Sequence, residues 1–287
     1  MYHEYTQEDL RQYCRKNIES LEIWARRLIH EKMVEKYGHN YVSQQLDDGN
    51  YLVKSEIRKH IQGKIAKEPM RFHRAVDTLF IDQIIYFLCH PIWYKELFKQ
   101  ALDYIYPQGR DEAREFLNRL VPIRNPLSHS NPITMHDVER AICYSHDFIE
   151  GLKKYYKDRG EDQVWNVPRI IKVKDSLGNV FENPVDIRYG GTNISIEQSQ
   201  NCGDKYSIEV EIDSSFTESE YNIYWKIPHR NGAEFVNKRR ICIAFEHEDV
   251  SMGFMINCMI ISNKSWHKYG NHDGEVTISM SVLPPTM

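Results

Sequence analysis

The sequence predicts an α+β protein in two parts, an all-α helical bundle followed by a β-sandwich of immunoglobulin-like character. Three observations carry that expectation. Apolar residues recur at three- and four-residue spacings up to about residue 157, then fall into short alternating or β-branched runs from Arg169 onward. The segment Lys157-Asp158-Arg159-Gly160-Glu161-Asp162 between them is charged and holds a glycine, the composition of a domain joint. Charge divides at the same place, with 25 basic against 23 acidic residues through Gly160 and 12 against 18 beyond it. The expected domains are residues 1–160 and 168–287, the first able to fold alone.

The helices follow in order. Leu10, Cys14, Leu21, Trp24, Leu28 and Met33 lie near helical spacing behind Thr6, with Glu8 and Asp9 in the first turn and Gly38 as the stop. A second helix is expected over residues 54–66, ended by Pro69. A third is expected over 72–89, stopped by His90-Pro91, and a fourth over 92–106, stopped by Pro107. A fifth covers 111–120. Thr134 is the N-cap of a last helix running through Val138, Ile142, Phe148 and Leu152 to Tyr156. Beyond the joint, strands are expected over 169–174, 193–197, 206–212, 221–227, 240–246, 254–261 and 275–283. Seven short strands with no helical pattern between them are what suggests the sandwich.

Composition bounds the function. Hydrophobic residues at 41% and charged residues at 27% are ordinary for a globular chain. A formal net charge of -4 makes no case for a globally basic nucleic-acid binder, so RNA contact would need a local patch. No apolar run reaches the roughly 18 residues of a membrane span, and Met1-Tyr2-His3-Glu4-Tyr5 lacks a signal peptide's basic segment and apolar core. Six cysteines without a CxxC pair fit neither a zinc site nor a disulfide framework, so a cytoplasmic protein with reduced thiols is expected. HExxH, Gly-x-Gly-x-x-Gly and P-loop signatures are missing from the sequence, and no metal or other cofactor is expected.

The residues that carry chemistry are Arg124-Asn125-Pro126-Leu127-Ser128-His129. His129 can move a proton near neutral pH, as base or acid. Arg124 supplies fixed charge and paired donors for phosphate oxygens. The Asn125 amide is placed to hold His129 or a phosphate oxygen, and Ser128 to orient the loop. Pro126 is expected to keep Arg124 at a helix end, with His129 on the turn or at the start of the next helix. The same run also fits a plain helix C-terminus, with Arg124 paired to an acid and His129 capping a carbonyl. His73 and Asp77 stand four apart and could meet, while His136, His146 and Asp147 point to different faces. Asp82 either faces solvent or turns inward to a cation such as Arg124.

This six-residue run and the helices around it resemble the HEPN superfamily (higher eukaryotes and prokaryotes nucleotide-binding), whose ribonuclease members carry an Arg-polar-x(3–5)-His motif. The resemblance covers about residues 72–156, including Ser130-Asn131-Pro132 and the helix that opens on His136-Asp137. It implies a metal-independent endoribonuclease that cleaves RNA by 2′-hydroxyl attack and leaves a 2′,3′-cyclic phosphate. One histidine does not readily serve as acid and base together. The family solves this by dimerising, which implies a homodimer through the helical domain with Arg124 and His129 of both copies in one cleft. A role as a toxin or in antiviral (phage) defence is implied by the same analogy.

In the β-rich half, Tyr221-x-x-x-Trp225-x-Ile227, Asn231-Gly232-x-Glu234 and the strand bearing Cys258 are similar to the sensor domain that follows adenylyl/guanylyl cyclases and SMODS nucleotidyltransferases; the glycine before that strand is shifted to Gly253. That implies a nucleotide second messenger, or a protein trigger, at the sandwich, with Trp225, Trp266 and His267 as contact candidates. Read as residues alone, Tyr221 and Trp225 fit a sandwich core, Asn231-Gly232 a hairpin turn, and residues 266–274 a contact loop or a disordered tip. The other functional class consistent with the sequence is a non-catalytic HEPN-like scaffold that binds a protein or nucleotide through its β half.

Overall fold

The computed structural model describes residues 5–69, 71–72, 74–128, 132–184, 191–230 and 234–285, apart from the side chains of Pro126 and Ser128. The chain forms two compact units: Met1–Pro69 with Arg74–Glu161, and Met70–His73 with Asp162–Met287. The first is helical and the second is built on sheets.

The helical unit is organised around α1 (Gln7–Tyr37), 31 residues long. A reciprocal capping box fixes its start, Asp9 N–H donating to the Thr6 hydroxyl and Thr6 N–H to the Asp9 carboxylate. Gly38 ends it at φ 78, a left-handed value that favours glycine. Through its middle α1 is buried nearly all round: Leu21, Glu22, Ile23, Trp24 and Ala25 are consecutive buried positions. A helix hydrophobic on every side must be wrapped by others, and α3 (Ile81–Leu88), α7 (Val121–Ser128) and α8 (Met135–Asp158) pack against it. The remaining helices are α2 (Ser55–Lys67), α4 (Pro91–Trp93), α5 (Lys99–Leu102) and α6 (Arg110–Asn118). Between α4 and α5 the chain winds as a π-helical turn over Tyr94–Phe98.

Two helix expectations fail. Residues 72–89 do not form one helix: Phe72 pairs with Glu182 in the sheet unit, Ala75–Thr78 is a 3-10 turn, and only Ile81–Leu88 is α-helical. The turn is held by Arg74, whose guanidinium donates twice to the buried carboxylate of Asp77. His73 lies outside the described residues, and Asp77 is satisfied by Arg74. Pro126, expected outside any helix, sits within α7. Its missing N–H removes one internal bond from an eight-residue helix. That helix is fastened by other means, with Leu120, Ile123 and Leu127 buried beneath it.

The sheet unit includes a short helix, α9 (Asp162–Trp165), and, among the described residues, ten strands. The first sheet has the order β2 (Val180–Glu182), β1 (Ile170–Asp175), β5 (Lys205–Ile212), β8 (Arg240–Ala244). The second has the order β3 (Gly191–Ser195), β10 (Gly274–Leu283), β9 (Ser251–Ser262), β6 (Tyr221–Lys226), β7 (Glu234–Val236), with β4 (Gln200–Asn201) also on β10. Strict alternation fixes the buried face: Ile208, Val210 and Ile212 on β5; Phe254, Ile256, Cys258 and Ile260 on β9; Val276, Ile278, Met280 and Val282 on β10. The rings of Tyr206, Phe245 and Phe254 touch in series and join the two sheets. β10 runs antiparallel to β9 but parallel to β3 and β4, so the second sheet is mixed. The edge strand β2 is flanked by residues from far upstream, since Glu182 N–H donates to the Arg71 carbonyl at 3.0 Å and the Arg71 guanidinium pairs with the Glu182 carboxylate.

Candidate functional site

The α7 helix presents Arg124. Its backbone N–H donates to Leu120 O at 2.9 Å, which sets the side chain one turn into the helix. Arg124 Nε donates to Glu22 Oε1 at 3.1 Å, across 102 residues of sequence. Glu22 is almost wholly buried on α1, and its other oxygen accepts from Arg26 Nη2 at 2.8 Å. Arg26 in turn donates to the Leu79 carbonyl at 2.6 Å. One buried carboxylate thus holds two guanidinium groups, a geometry that restricts Arg124 to a narrow range of orientations. The Arg124 side chain retains 27% of its exposure, so part of its charge faces solvent while its Nε faces the core.

Further α1 residues fasten the chain on either side of the motif. Arg15, exposed, donates to the Leu127 carbonyl at 3.5 Å. The Gln7 amide makes two bonds with the Ile133 backbone, donating to its carbonyl at 3.1 Å and accepting from its N–H at 2.9 Å. Thr134 then caps α8 by a capping box with Asp137. Asn125 is exposed beside Arg124. His129 and the side chain of Ser128 lie outside the described residues.

Asp82 is exposed, the solvent-facing of its two expected positions; the carboxylate that meets Arg124 is Glu22. His146 and Asp147 are exposed on α8, and His136 lies near Glu139 at 3.5 Å. Glu22, Arg26 and Arg15 were missed as site residues in the sequence. Glu22 had a signal there, a lone carboxylate inside the apolar run Leu21-Glu22-Ile23-Trp24-Ala25. Two thiols of the helical unit are held in the protonated form: burial pushes Cys14 up to about 11 and Cys89 up to about 12.

In the sheet unit, Trp225 is a core residue and not a contact residue. It is fully buried, and its indole N–H donates to the Lys238 carbonyl at 2.7 Å. Asn231-Gly232 lies outside the described residues. The segment carrying Trp266 and His267 is knitted together by Asp273, a buried carboxylate that accepts from Ser262 N–H at 2.7 Å and Lys268 N–H at 2.9 Å. His267 Nδ1 lies 3.2 Å from the same carboxylate, and the Lys264 ammonium sits 4.5 Å over the Trp266 ring. Both candidates are therefore half-buried parts of an ordered loop, already engaged with their neighbours.

Among the described residues, no three His, Cys, Asp or Glu side chains gather as a metal site. Nor is any helix long and apolar enough to cross a membrane. No protein-family model matches the chain, and no curated protein matches it.

Proposed function

We propose that this chain is a metal-independent endoribonuclease of HEPN type, with Arg124 and His129 as its catalytic pair. The observation that carries the reading is the Glu22–Arg124 pair. A phosphate-binding arginine works best when its orientation is fixed before the substrate arrives. A buried carboxylate on a different helix supplies that fixation while leaving part of the guanidinium in solvent. Arg15 adds a second positive charge beside the same helix.

In the reaction, the RNA 2′-oxygen forms a bond to phosphorus as the bond from phosphorus to the 5′-oxygen breaks. A base takes the 2′ proton and an acid gives one to the 5′-oxygen. His129 fills one of these roles, and His129 of a second copy fills the other in a homodimer joined through the helical domain. Arg124 carries the charge that builds on the non-bridging oxygens, and Asn125 and Ser128 orient the groups around it. The sheet unit, read as an immunoglobulin-like sandwich, controls this activity in response to a nucleotide or protein trigger. A defence role follows from analogy of fold and motif.

A second reading has its own observation. Arg124 is already paired with the buried Glu22 carboxylate, as it would be in a structural pair of a non-catalytic scaffold. Incubating the full chain with RNA in EDTA separates the two. The nuclease reading expects cleavage to 2′,3′-cyclic phosphate ends, lost by about 100-fold or more in His129→Ala and in Arg124→Gln. A folded protein that leaves RNA intact establishes the scaffold, and cleavage that is equal in both variants overturns Arg124 and His129 as the catalytic pair.

A further inference from the structure

The helical unit holds a cleft that the Arg124 site does not use. It opens between α6, α8 and the turn of residues 103–106, with a volume of about 450 Å³. That is within the usual size of small-molecule sites, roughly 300–1,000 Å³. Four aromatic rings line it: Tyr104, Tyr106, Phe116 and Tyr144. So do the carboxylates of Glu112, Asp147 and Glu150, against the single ammonium of Lys154 among the described residues. From this geometry we infer that the cleft binds a small organic cation, an alkylammonium ion of the amine or polyamine class.

Several independent features point the same way. Tyr106 is 4% exposed and lines the cleft, and no hydrogen bond to its hydroxyl occurs among the described residues, which leaves that oxygen to a ligand or to water in the cleft. Burial, and after it the nearby negative charge that includes Asp147 and Glu112, pushes the ionisation of the Tyr106 hydroxyl far up, so it stays a neutral donor and acceptor. The rings are set as walls: Tyr106 and Phe116 lie 5.9 Å apart, and Phe116 meets Tyr144 edge-on at 5.1 Å. Aromatic faces beside carboxylates are the chemistry that holds an ammonium group.

The aromatic faces already attract cations from the chain itself. Lys154 lies 5.7 Å from the Tyr104 ring centre, and the Arg119 guanidinium 4.9 Å from that of Phe116. Arg119 is committed elsewhere, donating to the Tyr144 hydroxyl and pairing with Glu115. The carboxylates are only partly engaged. Glu112 accepts from Gln108 N–H and Glu150 pairs with Lys153, whereas Asp147 meets only the Cys143 thiol at 3.8 Å among the described residues. The backbone is also shaped for the cleft. A Cβ on Gly151 would fall 2.2 Å from the Ile105 side chain, so only glycine lets that residue approach α8 and form the wall. An excess of two negative charges among the lining residues repels phosphates, which separates this cleft from RNA and from nucleotide ligands.

Titration calorimetry and amide NMR on the full chain test the inference, with spermidine and putrescine as free amines and a capped lysine amide standing for a protein side chain. The expected result is one saturable site with shifts centred on Tyr106, Tyr144 and Asp147. Tyr106→Phe should weaken binding about fivefold by removing one hydrogen bond. Asp147→Asn, at an exposed position that leaves the fold intact, should weaken it about tenfold at low salt. Binding of the capped lysine without the free amines would keep the cation site and assign its source to a protein. Non-saturating attraction that persists in both variants would overturn the inference, since it would report the acidic surface alone. So would a preference for guanosine, whose neutral base can also stack and bond to a carboxylate.

Discussion

The helical and sheet units differ in how far some of their buried carboxylates reach. In the helical unit Asp77 pairs with Arg74 three residues away, but Glu22 adds Arg124 across 102 residues to its local partner Arg26, and Glu31 accepts from the Tyr156 hydroxyl across 125. In the sheet unit the partners come from nearby. Asp273 is satisfied by groups 5 to 11 residues away, and Asp249 pairs with Arg230 across 19. The difference follows from architecture. Antiparallel strands joined by short connections bring neighbours together, whereas a long central helix is wrapped by helices from the other end of its unit. A distant pair ties the unit together. A local pair holds one loop or corner.

The largest effect should therefore fall on Glu22. Glu22→Gln keeps the volume but withdraws the charge that two arginines share, leaving Arg26 and Arg124 part-buried without it. Breaking such a pair should cost about 3 kcal/mol in urea denaturation, with loss of cooperativity across α1, α7 and α8. If the proposed nuclease reading holds, RNA cleavage falls with it. A loss below about 1 kcal/mol would mean the arginines find other partners, and that long range confers no special weight.

In the sheet unit the matching substitution is Asp249→Asn. Asp249 is fully buried, accepts from Arg230 Nε at 2.9 Å and from Glu246 N–H at 2.7 Å, and the Arg230 guanidinium also reaches the Ala244 carbonyl. Asparagine can keep one of these bonds. The expected loss is about 2 kcal/mol, confined by hydrogen exchange to the residues around β8 and the start of β9. Spread of the effect through both sheets would contradict the local character of this pair.

These contrasts also explain what the sequence disclosed. All seven expected strands appear because β5, β6, β9 and β10 alternate cleanly along their length. β2, β4 and β7 were missed, since two or three residues carry no readable period. The capped helices α1 and α8 were legible from Thr6 and Thr134, because capping is local chemistry. Arg124 was legible as a residue type, but its partner was not, because no local rule links position 22 to 124. Phe72 was misread for the same reason, its pairing being with Glu182.

Acid should act on the two units with opposite sign at these groups. Burial pushes the Asp249 carboxyl up, but Arg230 and the Glu246 N–H outweigh it and hold it below its ordinary 3.8. Asp273 is likewise lowered against burial, chiefly by the Lys268 and Ser262 N–H groups. Their support is complete above 3.8 and is lost as pH falls through the lower folded values. Glu31 is the reverse. Burial raises it above 4.5 despite Lys32 and Tyr156, so its protonated form is favoured in the fold and stability grows as pH drops through that raised value toward 4.5. Asp9 and Asp48 are also lowered, but they lie on the surface, where solvent screens them. Hydrogen exchange corrected for intrinsic rate, followed from pH 7 to pH 3, should show the sheet unit losing protection before the core of the helical unit around Glu31. The opposite order would show that other groups control acid unfolding.

The smallest effect is expected at Asp82, and it sharpens the assignment of Arg124's partner. Asp82 lies in the first turn of α3, close in sequence to the helices that carry the motif, and is the nearer candidate on local reasoning. It is exposed, and it makes none of the observed contacts to Arg124. Asp82→Asn should change stability by less than about 0.5 kcal/mol, with the change reflecting only the favourable charge near a helix N-terminus. A double-mutant cycle makes the comparison quantitative. Arg124→Gln combined with Glu22→Gln should show a coupling of about 1–3 kcal/mol, while Arg124→Gln combined with Asp82→Asn should be additive within about 0.5 kcal/mol. Strong coupling to Asp82 would place Arg124 toward α3 in solution and remove Glu22 as the residue that orients it.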